Sequence, residues 1–171
     1  MADLDDRFGE LLGGCERSAV HLEMRDGFMP DDPAFTDWCA GRPIDPAERW
    51  RDWFDLVRAT VARGVEIRRA RIVSEPVSDY IRFEYAVTNG LNVAAGEQVR
   101  WLPRRRASDI ALPGNDFWLF DDHLVQFNHF SGNGDWIDVE TNTDPAIIKL
   151  CADAFEAVWA RAVPHQSYRP A

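Results

Sequence analysis

The sequence predicts an α+β sandwich, in which helices cover one face of a mostly antiparallel sheet. Three observations predict it. Helical spacing of apolar residues dominates both ends of the chain, while strand-like runs lie between Val65 and Thr141. Turn signals at Asn89–Gly90 and Asn133–Gly134 cut that middle stretch into short pieces. The composition is 46% hydrophobic and 12% aromatic, too rich for disorder and sufficient for the core of one domain.

The elements follow in order. Residues 4–14 read as a helix, with Leu4, Phe8, Leu11 and Leu12 on one face. Ala19–Met24 fits strand or helix equally. Pro30–Asp31–Asp32–Pro33 breaks the chain and caps a helical turn over Ala34–Ala40, which Gly41 ends. A helix over 46–63 is the strongest reading: Asp45 is its N-cap, Pro46 its first residue, and Trp50, Trp53, Phe54, Val57 and Val61 its apolar face. Val65–Val73 interleaves apolar residues with Arg68, Arg69 and Arg71, as a strand with one wet face does. Asp79–Val87 is helical by the spacing of Tyr80, Phe83 and Val87, and the glycines after it mark a loop. Val99–Leu102 is a strand. Phe117–Phe120 and Leu124–Phe130 form a hairpin turning at Asp121–Asp122–His123, and Asn133–Gly134 turns into a strand over Trp136–Thr141. A helix over 145–162, capped by Asp144 and stopped by Pro164, closes the chain. Residues 1–45 are thus expected as a helical N-terminal extension of a sandwich domain spanning 46–171, the two making one structural unit.

Composition excludes several classes. The net charge of −10 opposes direct binding to nucleic acid or to an anionic membrane, although the segment 63–106 is locally basic. The three cysteines have no metal-ligand spacing, the N-terminus lacks the features of a signal peptide, and no apolar run reaches membrane-spanning length. A cytoplasmic protein without cofactor or metal is the expectation.

Chemistry-bearing residues concentrate in 96–130. Trp101, Trp118 and Phe130, with Tyr80 and Arg82 from the preceding helix, are candidates to wall a small-molecule cleft. Arg104 and Arg105 offer planar guanidinium forks to a phosphate or carboxylate, and Asp116 stands near the strand end. His129 is the candidate proton-transfer group, with Asp121 to orient it, in an enzymatic alternative. There is no G-x-S-x-G elbow. The glycines at 132 and 134 read as a turn, since no helix follows to hold a phosphate.

The runs SEPVSDYIRFEY, AAGEQVRWLPR, LPGNDFWLFDDHLVQFNHFSGNGDW and LCADAFEAVWARAVPHQSY resemble an actinobacterial family of uncharacterised proteins, encoded beside helix-turn-helix regulators. The C-terminal two-thirds also resembles, more loosely, the phospholipase-D-like module fused to some bacterial transcription regulators. That superfamily carries a His-x-Lys pair. Here the only lysine is Lys149, and His129 is followed by Phe130 and Ser131. The resemblance therefore implies a non-catalytic regulatory or ligand-sensing module. Its expected partners are a helix-turn-helix DNA-binding protein and a small anionic or aromatic ligand. The alternative is a phosphodiesterase-like hydrolase that uses His129 with an arginine anion clamp.

Overall fold

The computed structural model describes residues 6–29 and 31–171, so the expected helical start at Leu4 and the break at Pro30 lie outside the described residues. Helix α1 (Asp6–Gly14) leads into strand β1 (Ser18–Glu23), and α2 (Pro33–Cys39), α3 (Pro46–Arg49) and α4 (Arg51–Ala62) follow. Strand β2 (Glu66–Val73), helix α5 (Asp79–Thr88) and strand β3 (Gln98–Pro103) make a parallel β-α-β crossover unit. Strands β4 (Phe117–Phe120), β5 (Leu124–Phe130) and β6 (Trp136–Asn142) form a meander before α6 (Pro145–Arg161) and the two-residue β7 (Val163–Pro164). The strands form one sheet in the order β6-β5-β4-β1-β2-β3-β7. Only the β1–β2 and β2–β3 pairs are parallel; the other neighbours are antiparallel.

The expected mostly antiparallel sheet with covering helices is present. Helices cover both of its faces, however, not one. On one face, α6 lays Cys151, Phe155, Val158 and Trp159 over Leu22, Ile72, Leu102 and Leu119. On the other, Leu12 of α1 and Trp53 and Val57 of α4 pack on Ala19, Ile67, Trp118 and Phe120. The first 45 residues are also more than a helical extension. They supply β1, an interior strand hydrogen-bonded to β2 on one side and β4 on the other. Its apolar residues Ala19, Val20 and Leu22 face both packed layers, which is why periodicity alone left the segment undecided.

Local chemistry sets the element ends. Asp32, Asp45 and Asp144 each accept a backbone N–H from the first turn of their helices, and each precedes a proline. The helix expected over 46–63 is two helices, because Trp50 leaves helical geometry at φ −123° and ψ 49°. The departure lets Trp50 reach the Phe83 ring, 6.2 Å away between centroids. The loop expected at Asn89–Gly90 is instead a π-helical continuation of α5 through Val93. Burial of Leu91 and a hydrogen bond from Asn92 to Glu97 hold it against turn propensity.

Candidate functional site

Successive residues of a strand point to opposite faces. On the face carrying α1 and α4, that alternation aligns His21 and Glu23 of β1 with Arg69 and Arg71 of β2 in register. Trp118 of β4 pairs with His21, and Gln126 of β5 pairs with Trp118. Two of the three β2 arginines expected on a wet face are therefore dry: Arg69 and Arg71 are each 5% exposed, Glu23 8% and Glu97 2%, while Arg68, on the opposite face, stays part-exposed. They can be buried because each finds charged partners.

Glu23 is the hub. One of its carboxylate oxygens pairs with Arg69 Nη1, and the other accepts from Arg71 Nε at 2.5 Å. Arg69 Nε donates to Glu97 at 2.7 Å, and Asn92 Nδ2 donates to the second Glu97 oxygen at 2.5 Å. Arg71 also donates to Thr88 Oγ1 and to Glu84, each at 2.8 Å. The guanidinium of Arg69 lies over Trp53 and Trp118, and that of Arg71 over Trp101 at 4.9 Å. Burial raises the Glu23 carboxyl, yet Arg71 and Arg69 outweigh it and hold the group well below the usual range. Burial, with Arg69 beside it, pushes His21 down, so its imidazole is neutral. It stacks on Trp118 with centroids 4.2 Å apart.

This polar floor lies under a cleft of about 600 Å³. Its walls are Trp50 and Trp53 from the α3–α4 junction, Tyr80 and Glu84 of α5, and Phe130 and Trp136 of the β5–β6 hairpin. Asp116 lines it just before β4. One Asp116 oxygen accepts from the Met24 backbone N–H at 2.8 Å, and the other is buried with no hydrogen-bond partner. Burial and then Glu23 raise the Asp116 carboxyl to about 7, against smaller opposing effects of the Met24 N–H, Arg25 and Arg104. A volume of this size, with aromatic walls and a few convergent polar groups, is suited to a small organic molecule. Burying ions costs several kcal/mol each, and an apolar set would hold the sheet as well.

Of the residues singled out in the sequence, Tyr80, Asp116, Trp118 and Phe130 line this cleft. Trp101 is fully buried and stacks on Tyr168 at 5.5 Å. Arg82 sits at the surface 3.8 Å from Asp79. Arg104 is not poised as an anion clamp: it ties the ends of β1 and β2 by donating to Met24 O, Ile72 O, Ser74 and Asp26. Arg105 borders a separate, smaller depression. His129 lies 3.5 Å from Glu140, at the far end of β5 from Asp121. With about 3.3 Å per residue along the strand, those two groups stand on the order of 15 Å apart. Asp121 instead accepts the backbone N–H groups of Glu16, Arg17 and Ser18 at 2.8–2.9 Å, which hold its carboxyl below the usual range despite partial burial.

Sequence reasoning missed His21, Glu23, Arg69, Arg71, Glu84 and Glu97. A signal existed in the period-two charges of VHLE and RRAR, each embedded in an apolar run. Among the described residues, no group of three or more His, Cys, Asp or Glu is placed to hold a metal ion. Among them, too, no helix is long and apolar enough to cross a membrane.

Solved structures place this architecture in a class. The chain shares its fold with Nuc from Salmonella typhimurium, a phospholipase D family member, at 12% identity and a TM-score of 0.50 over 94% of this chain and 88% of that one. NucT from Helicobacter pylori is similar at 11% identity and a TM-score of 0.55, over 93% and 89% of the two chains. TrmBL2, an archaeal chromatin protein with a novel mode of DNA binding, matches 91% of this chain and 48% of its own at 13% identity and a TM-score of 0.48. Within that fold class, residues 6–170 match the domain of unknown function DUF6879, and the chain belongs to that family. No curated protein matches the sequence.

Proposed function

We propose that this protein is a non-catalytic module that binds a small molecule in the cleft and passes its occupancy to a helix-turn-helix DNA-binding partner. The observation that carries the binding reading is the cleft itself: an aromatic-walled volume over a buried, mutually satisfied ion network, with one carboxylate oxygen of Asp116 left unpartnered. The described lining residues include no serine, threonine, cysteine or lysine. The walls come from three separate elements, so a bound molecule would join parts of the chain far apart in sequence. The regulatory half rests on the family resemblance.

Fragment binding followed by NMR tests the first half. Hits that shift Trp53 and Trp118 indole signals support it, and a broad library with no hit in the cleft sinks it. Titration of operator DNA into the regulator, with and without this protein and its ligand, tests the second half. Unchanged DNA affinity in every combination removes the regulatory role.

The phospholipase D family fold favours a second reading, a hydrolase acting on phosphodiesters. Its proposed groups, His129 and Asp121, stand apart, and Arg104 is engaged elsewhere. Turnover of a phosphodiester panel that disappears in His129→Ala would restore that reading.

A further inference from the structure

We propose that the cleft takes an organic cation: a protonated amine on a planar body, its ammonium received by Asp116 and its body lying among Phe28, Tyr80, Phe130 and Trp136. The proposal rests on the ligand-binding reading above and assigns the chemical class of that ligand.

Three observations converge on charge. Asp116 is 3% exposed, and one of its two carboxylate oxygens has no partner. A buried oxygen in that state calls for a proton or a donor, and an ammonium group supplies donor and countercharge together. The two floor arginines are already paired with carboxylates. Arg69 is engaged by Glu23 and Glu97, and Arg71 by Glu23, Glu84 and Thr88. An anionic ligand would have to compete with these carboxylates. Among the described lining residues, six carboxylates face four guanidinium groups, and the imidazole of His21 is neutral. The cleft repels a phosphate and attracts an amine.

The rings complete the site. Phe28 lies 5.2 Å from Phe130 and 6.0 Å from Tyr80 between centroids, forming an aromatic wall at the Asp116 end. Aromatic faces attract organic cations through the ring quadrupole. The Phe130 ring already carries one such contact, with the Arg25 guanidinium 5.1 Å from its centroid. Burial keeps the Tyr80 hydroxyl protonated, so this wall adds no competing phenolate.

The test compares three indoles that share one body: tryptamine, indole-3-ethanol and indole-3-propionate, titrated into the full chain by calorimetry with NMR mapping. Tryptamine is expected to bind in the cleft at least about tenfold more tightly than either isostere. Its affinity should rise from about pH 6 to about pH 8 as Asp116 ionises, while an alkylamine with a pKa near about 10 stays charged. Glu23, Arg25 and Arg104 are the charged groups acting on Asp116. Asp116→Asn, which keeps an acceptor for Met24 N–H, should lose both the preference and the pH dependence. Because the pH series needs no variant, the proposal is tested even if that substitution perturbs folding. Equal or tighter binding of the alcohol or the propionate overturns the cation assignment and leaves the binding cleft standing. Absence of all three from the cleft at about 5 mM overturns the cation assignment. The broad fragment library then decides the binding reading separately.

Discussion

Asp116 is buried with only one of its two carboxylate oxygens hydrogen-bonded. Burial and Glu23 push its carboxyl up to about 7 in the fold from an ordinary 3.8, so the folded state holds the proton more tightly between those values. The sign follows from linkage: stability falls as pH rises from about 4 to about 7, and the full cost remains above that range. Asp116→Asn is therefore expected to stabilise the protein at pH 8 by on the order of 2–4 kcal/mol and to leave stability at about pH 4 nearly unchanged. Urea unfolding at the two pH values checks this, and an equal shift at both removes the assignment of the raised carboxyl. Glu23 has the opposite character, because both of its oxygens serve buried arginines. Glu23→Ala leaves two guanidinium groups short of a counter-ion, and a loss of about 3–5 kcal/mol is expected. A loss under about 1 kcal/mol in denaturant melts would mean that water or Glu84 replaces it.

At the scale of elements, the sharpest constraint is where the π-helical end of α5 returns to β3. Gly96 turns there at φ 104°, and a Cβ at that position would meet Val61 Cγ1 of α4 at 3.0 Å. Gly96→Ala is expected to cost about 1–3 kcal/mol through backbone strain and this contact. Val61→Ala in the same chain should recover only the contact, so a double-mutant cycle separates the two terms. The same segment marks the limit of what was legible. Helices with a proline after an aspartate, such as α3 and α6, and the meander from β4 to β6 could be read from local pattern, because each is set by neighbours in sequence. The turn Asp121–Asp122 could be read too, since short polar side chains tolerate the positive φ of 51° and 53° found there. The π-helical end of α5 could not, since Leu91 is held by burial against residues of α1, α4 and the sheet that are distant in sequence, and Asn92 by the buried Glu97. Nor could the cleft floor. Glu23, Arg69 and Arg71 read as surface charges until β1 and β2 are placed side by side, a pairing across more than forty residues. Three of the four sequence-selected aromatic candidates, Tyr80, Trp118 and Phe130, still reached the cleft, because large rings have few other places to pack.

For the whole molecule, the sheet separates two environments of unlike compliance. Beneath it, α6 seals a continuous apolar layer against β1, β2, β3 and β4. Above it, α1 and α4 cover one part, α5 covers another, and the polar cleft lies between them. Local opening follows the density of buried apolar contact, so the α6 face should exchange backbone hydrogens only through global unfolding. The α3–α4 junction around Trp50 and the β5–β6 hairpin around Gly134, which wall the cleft on its open side, should exchange first. A ligand lodged between them adds its binding energy to that local opening and not to the layer beneath. Hydrogen exchange read by mass spectrometry is expected to slow in residues 46–53, 80–92 and 128–139 when the cleft is filled, and to stay unchanged in 150–160. Slowing spread evenly across both faces would mean that the two layers open as one unit, and the cleft could not then signal through its walls alone.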